Sequence, residues 1–126
     1  MDEIKSAGEI NGAILAYLGD AQIELAVRKR LVAKGGKLGE LNKEADSLVS
    51  AKAQCVALER LLPLFTEEEA VAFRRGKNAH TSSTPKSCSQ LEYRKATGLE
   101  AVFGMLSLEG AAERIDFLID KGFFAE

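Results

Sequence analysis

Apolar positions recur at steps of three and four residues along most of the chain, the spacing of one helical face. From Asn11 to about Lys34, Ile14, Leu18, Ala21 and Leu25 predict a long helix with an apolar stripe. Arg28, Lys29, Arg30 and Lys34 crowd its last turns, where cations complement the helix dipole, and Gly35-Gly36 ends it. A shorter helix is predicted over Leu38–Val49, and Ser50 caps a third over Ala51–Leu62 that Pro63 stops. Thr66 followed by Glu67, Glu68 and Glu69 is a capped helix start, and that helix should reach about Lys77. "NAHTSSTPKS" has no apolar period and reads as a loop. A long helix follows from about Ser89 to Leu108, with Leu91, Ala96, Leu99, Val102, Phe103 and Leu106 on its apolar side. Gly110 breaks it, and Ala111–Lys121 forms the last helix. With no repeat, no linker and little strand signal, the pattern predicts one all-α domain over residues 1–126, of six or seven helices.

One stretch fits that pattern badly. "AYLGDAQIEL" places Gly19 and Asp20 inside an apolar helix, where glycine weakens the helix and a buried acid must be solvated or bound. Asp20 and Glu24 are four apart and share a face with Ala16. On the long C-terminal helix, Glu100 is the lone acid between Tyr93 and Leu108, bracketed by Gly98, Leu99, Ala101, Val102 and Gly104. Two such carboxylates facing each other across a helix pair would repel, and a divalent cation relieves the repulsion. Mg²⁺ favours one or two carboxylates together with water and phosphate oxygens. The plainer alternative is that both acids sit on solvated helix edges, with Gly19 a helix contact and Glu24 an edge residue or a partner of Arg28. The spacing leaves both readings open, because 80 residues separate Asp20 from Glu100.

Composition narrows the class. Of 126 residues, 46% are apolar and 29% charged, the make-up of a globular domain with a real core. No apolar run is long enough to span a bilayer, and "MDEIKSAGEI" lacks the features of a signal peptide, so a cytoplasmic protein without a membrane partner is expected. Cys55 and Cys88 form no C-x-x-C pair, which argues against a zinc site. Cys55 is expected to be a buried free thiol. Cys88 with His80 as nucleophile and base has no local signature behind it.

The net charge of −2 conceals a strong asymmetry. Residues 72–95 hold Arg74, Arg75, Lys77, Lys86, Arg94 and Lys95 against Glu92 alone, a net +5, which leaves −7 for the rest. Such a concentrated basic segment suggests a local anion site. Arg74, Arg75 and Lys77 could equally serve their own helix C-terminus. The loop beyond them, with Asn78, His80, Thr84 and Lys86, offers amide, hydroxyl and cationic groups suited to phosphates and 2′-hydroxyls of duplex RNA, with Arg94 at the next helix entry. Tyr93 could join them or belong to the core. Few aromatics are placed for base stacking, and Phe123 and Phe124 look like a C-terminal packing patch, which argues against a single-strand binder.

"LAYLGDAQIEL" resembles the signature helix of the ribonuclease III family, whose Gly-Asp-Ala step supplies a catalytic aspartate. "YRKATGLEAVFGMLSLEG" is similar to that family's second motif, whose Glu-Ala step supplies a metal-binding acid, and "RRGKNAHTSSTPK" is similar to the loop of the short form, Mini-ribonuclease III. The likeness covers about residues 11–110, with the three motifs in the right order. It implies a nuclease domain without a separate double-stranded-RNA-binding domain, and carries over Asp20 and Glu100 as catalytic acids and metal ligands. Ala16 and Thr97 stand where full-length members carry two further acids, a departure the short form shares, so a metal with more retained waters and weaker binding is expected.

The resemblance further implies Mg²⁺-dependent cleavage of double-stranded RNA, with Mn²⁺ able to substitute, leaving 5′-phosphate and 3′-hydroxyl ends with short 3′ overhangs. The implied substrate is the stem joining the ends of precursor 23S ribosomal RNA, with a ribosomal protein on the substrate as a candidate partner. A homodimer would double the basic surface and present two sites to opposite strands. The two missing acids keep an inactive duplex-binding module as the alternative, and an ordinary helical interaction domain is the remaining rival.

Overall fold

The computed structural model describes residues 6–79 and 88–125. These residues form six α-helices: α1 (Gly12–Lys34), α2 (Leu38–Val49), α3 (Ala51–Leu61), α4 (Glu67–Lys77), α5 (Gln90–Leu108) and α6 (Ala112–Phe123). Short 3₁₀ turns at Ala7–Glu9 and Leu62–Leu64 complete the path, and no strand occurs among the described residues. The all-α expectation holds, and the helix ends fall where the capping residues place them.

Those caps are visible as hydrogen bonds. The Asn11 side chain accepts from the Ala13 N–H at 2.7 Å, and Ser50 accepts from the Ala53 N–H at 3.2 Å. Both α4 and α5 open with a capping box, Thr66 with Glu69 and Ser89 with Glu92, so each first turn satisfies two otherwise orphaned donors. Pro63 lies in the 3₁₀ turn that closes α3, and Gly110, at φ 66°, adopts the left-handed conformation that ends α5.

Helix α5 is the centre of the molecule. From Ala96 to Leu106 every residue is buried except Glu100, so α5 is enclosed on all sides rather than on one stripe. Helices α1, α3 and α4 pack around it, and α6 closes the far side against α3. Leu99, Val102 and Phe103 join Ile23, Val27, Leu31, Leu58, Leu61, Leu118 and Ile119 in one continuous core. Phe103 meets Phe123 edge-on with centroids 6.4 Å apart, while Phe124 lies under the Arg30 guanidinium at 5.1 Å, so the C-terminal patch is real packing.

The buried face of α1 differs from the predicted stripe. Leu15, Ala16, Gly19, Ile23, Ala26, Val27 and Leu31 face inward. Ile14, Ala21 and Leu25 are exposed and Leu18 is half-buried. The helix is apolar on both sides, and its inner face contains the small residues Ala16, Gly19 and Ala26, which carry little hydropathy but permit close packing. Leu91 on α5 is likewise exposed rather than part of the core.

Those small residues set the distance between α1 and α5. A Cβ on Gly19 would overlap the Glu100 carbonyl oxygen and lie 2.8 Å from the Gly104 nitrogen. Reciprocally, a Cβ on Gly104 would overlap the Leu15 carbonyl oxygen. The two backbones are therefore in direct contact, which only glycine at both positions allows.

Candidate active site

This contact brings the two isolated acids together. With Gly19 pressed on the Glu100 backbone, Asp20 is the next residue along α1, and its carboxyl faces that of Glu100. Asp20 is exposed, whereas Glu100 is half-buried at the inner end of the pair. Burial pushes Glu100 up to about 8, reinforced by the negative charge of Asp20 and by a hydrogen bond with it that favours a protonated Glu100. The Gln54 side chain acts in the opposite direction, as a hydrogen-bond partner that favours the carboxylate.

Gln54, on α3, is 3% exposed. Its Nε2 donates to the Val49 carbonyl at 3.0 Å, and its Oε1 is buried without a hydrogen-bond partner among the described residues. A buried orphan acceptor costs about 1–3 kcal/mol. Sequence reasoning missed this residue, because a single glutamine in an amphipathic helix reads as part of the solvated face.

The positions of the two absent acids are closed by packing. Ala16 is buried with Leu15 and Ala101. Thr97 is buried, and its hydroxyl donates to the Tyr93 carbonyl at 2.9 Å. Among the described residues no group of three or more His, Cys, Asp and Glu side chains assembles. The donor set is therefore two hard carboxylates. It fits Mg²⁺ or Mn²⁺, which a pair of carboxylates can hold while several waters are retained. Asp20 and Glu100 are the residues that would hold the ion. Glu24 instead pairs with Arg28 at 3.5 Å on the helix surface.

The basic segment begins at the end of α4, which abuts the same stretch of α5. A Cβ on Gly76 would lie 2.8 Å from the Thr97 carbonyl oxygen and 3.0 Å from the Gly98 Cα. Arg74 is exposed and Lys77, next to Gly76, is half-buried. The Arg75 guanidinium is spent differently: it donates to the Ala7 carbonyl at 3.1 Å and to the Ile10 carbonyl, fastening the chain ahead of α1. Arg94 donates through Nε to the Lys77 carbonyl at 3.0 Å and through Nη2 to the Asn78 Oδ1 at 3.1 Å, tying the α4 end to α5. Tyr93 is half-buried. His80, Thr84 and Lys86 lie outside the described residues.

Neither Cys55 nor Cys88 forms a disulfide among the described residues, and Cys55 is only partly buried, with Sγ 3.5 Å from the Glu92 carbonyl. Burial nevertheless pushes its thiol up, helped by the nearby Glu92 charge. A protonated thiol of that kind is a packing group rather than a nucleophile.

Known proteins supply an independent view. Residues 13–111 match the family described as the Ribonuclease III domain. A Mini-ribonuclease 3-like protein of Ilyobacter polytropus is 42% identical, the alignment covering 94% of this chain and 91% of the relative. The Mini-ribonuclease 3 of Brevibacillus brevis is 43% identical over 90% of this chain and 85% of its own. An X-ray crystal structure of a Fusobacterium nucleatum protein superposes with a TM-score of 0.84 at 35% identity, covering 94% of this chain and 96% of that one.

Proposed function

The chain belongs to the ribonuclease III family and is an endoribonuclease, and from that premise we propose that it cleaves double-stranded RNA by a Mg²⁺-dependent hydrolysis centred on Asp20 and Glu100. The observation that carries the proposal is the meeting of these two carboxyls, 80 residues apart in sequence, across the glycine contact between α1 and α5. When bound, a divalent cation supplies a water of lowered pKa for attack on phosphorus and offsets charge on the departing 3′ oxygen. Mn²⁺ is an acceptable substitute for the same hard-oxygen set.

The chain's own residues divide the remaining work. Asp20, exposed at the outer edge, faces the phosphodiester, while Glu100 holds the inner position and must lose its proton to serve as a ligand. Arg74 and Lys77 supply cations to RNA phosphates beside this pair, and Asn78 adds a polar side chain whose orientation Arg94 fixes. In this reading Arg75 supports RNA binding by holding the chain at Ala7 and Ile10 in place. His80, Thr84 and Lys86 are assigned to RNA contact in this proposal from their chemistry in the sequence alone. Arg94 and Arg75, whose guanidinium groups donate within the fold, act in this proposal as supports rather than as direct phosphate contacts.

The working unit in this proposal is a homodimer. Ile14, Tyr17, Ala21 and Leu25 form an exposed stripe along α1, with Tyr17 83% exposed, and an apolar stripe of that kind favours burial against a second copy. Asp20 lies beside the stripe, so paired chains would carry two sites for the two strands of a duplex. The finer assignments follow the family resemblance: the stem of precursor 23S ribosomal RNA as substrate, a ribosomal protein on that substrate as partner, and a bacterial cytoplasm as setting. No helix among the described residues is long and apolar enough to cross a membrane.

The test is cleavage of a perfect RNA duplex in Mg²⁺. Asp20→Asn is expected to abolish cutting while leaving helix content and duplex binding intact. Undiminished cleavage by a folded Asp20→Asn enzyme would overturn the proposal.

A further inference from the structure

Beyond the two acids, the floor of the site contains a polar group that the hydrolysis proposed above does not use. Gln54 is almost fully buried, yet it is not replaced by an apolar residue that would pack there without a polar cost. Its amide is held from behind, Nε2 donating to the Val49 carbonyl at 3.0 Å at the turn between α2 and α3. Packing of α3 against α5 is further fixed by Cys55, one residue on, whose Sγ meets the Glu92 carbonyl. A side chain anchored in this way has little freedom, and its amide also meets Glu100 in the sense that favours the carboxylate, as an N–H donor does, while its Oε1 is buried without a partner among the described residues.

We propose that Gln54 is a positioning residue for Glu100: its anchored amide N–H group donates to the Glu100 carboxyl and fixes the orientation of that carboxyl for cation binding. This inference rests on the metal-dependent reading of Asp20 and Glu100. It gives a physical reason for a polar residue in the core. A neutral amide can steer a carboxylate without adding a third negative charge to a pair that already repels. It also accounts for how a site lacking acids at positions 16 and 97 still keeps a defined geometry, since Ala16 and Thr97 are closed off by packing and α3, packed on α5, brings Gln54 to Glu100.

The experiment measures Mn²⁺ binding to the metal-free protein by electron paramagnetic resonance, without RNA, alongside circular dichroism and thermal melting. Gln54→Met, close in shape but unable to hydrogen-bond, is expected to fold with native helix content and to bind Mn²⁺ about ten-fold more weakly. Its duplex cleavage should recover as Mg²⁺ is raised, with KM for RNA unchanged at saturating metal. Gln54→Glu keeps size and polarity and brings a third carboxyl to Glu100. It is expected to bind Mn²⁺ more tightly than the native protein at pH 9, and it provides the test if Gln54→Met does not fold. Native Mn²⁺ affinity in every folded variant would assign Gln54 to packing alone and overturn the inference, while Asp20→Asn still abolished binding and left the metal reading standing. If the native protein itself binds no Mn²⁺, both fall together.

Discussion

Gly19 of α1 rests directly on the backbone carbonyl of Glu100 in α5, so closely that even a single methyl group could not be placed between them. The proposed site follows from this contact: it sets the separation of two helices, and the Asp20 and Glu100 carboxyls meet only because that separation is small. Gly104, pressed on Leu15 one turn further, makes the same contact from the opposite helix.

Gly19→Ala is therefore expected to be doubly damaging. Forcing α1 away from α5 should cost about 1–3 kcal/mol or more in denaturant unfolding, and cleavage should fall further than stability does. Gly39→Ala is the control, because nothing lies within 4 Å of the added carbon in α2. It should stabilise the protein by about 0.5–1 kcal/mol, the usual gain of alanine over glycine in a helix.

Cation binding should release a proton near neutral pH. Glu100, raised to about 8 by burial and by Asp20, is protonated in the metal-free protein at pH 7, and the cation requires the carboxylate. Titration calorimetry in buffers of different ionisation enthalpy should report close to one proton released per Mn²⁺ at pH 7 and almost none at pH 9.5. Cleavage should rise with pH over the same window. In the absence of metal the sign for stability is the reverse. The folded state holds this proton more tightly than the unfolded chain, so the contribution is full at low pH and is lost as pH rises through about 8. Glu100→Gln should flatten that loss.

The Glu69–Arg114 pair supplies a purely structural contrast. Glu69 is 2% exposed and accepts from Arg114 Nη2 at 2.8 Å and Nε at 2.9 Å, while also closing the α4 capping box. Burial alone would raise its carboxyl. The Arg114 hydrogen bonds and charge, together with hydrogen bonds from Thr66, instead hold it below the ordinary carboxylate range. The stabilisation is present at neutral pH and is lost as pH falls through the ordinary value and below. Arg114→Met leaves the acid buried and unpaired and should cost about 3 kcal/mol by chemical denaturation, with cleavage per folded molecule unchanged.

Dimer formation is tested on the exposed stripe of α1. Tyr17→Glu with Leu25→Glu should leave the melting of the isolated fold nearly native and convert a sedimenting dimer to monomer. Native protein that sediments as a monomer at micromolar concentration would remove this part of the account.

The helix plan was legible because the sequence marks its own ends. Thr66 with Glu69, Ser89 with Glu92, Asn11, Ser50, Pro63 and Gly110 act within a turn of where they stand, so no tertiary information is needed to read them. The inner face of α1 was not legible. Ile14, Leu18 and Leu25 outweigh Ala16, Gly19 and Ala26 in hydropathy, yet the small residues are the ones that let α5 approach, and periodicity cannot weigh close packing. The meeting of Asp20 with Glu100 likewise depends on a tertiary contact, and only the family resemblance pointed to it in advance. Arg75 and Arg94 illustrate the same limit: their charge was visible, while the carbonyl groups of Ala7, Ile10 and Lys77 that engage them belong to other elements.

The claim on which the rest depends is that Asp20 and Glu100 bind one hard cation together. Anomalous diffraction from a crystal soaked in Mn²⁺ at pH 8.5 tests it most directly. The account predicts a single strong peak between the two carboxyls, within direct or water-bridged reach of both and absent from Asp20→Asn crystals. A peak elsewhere, or no peak beside either acid at saturating Mn²⁺, would contradict it.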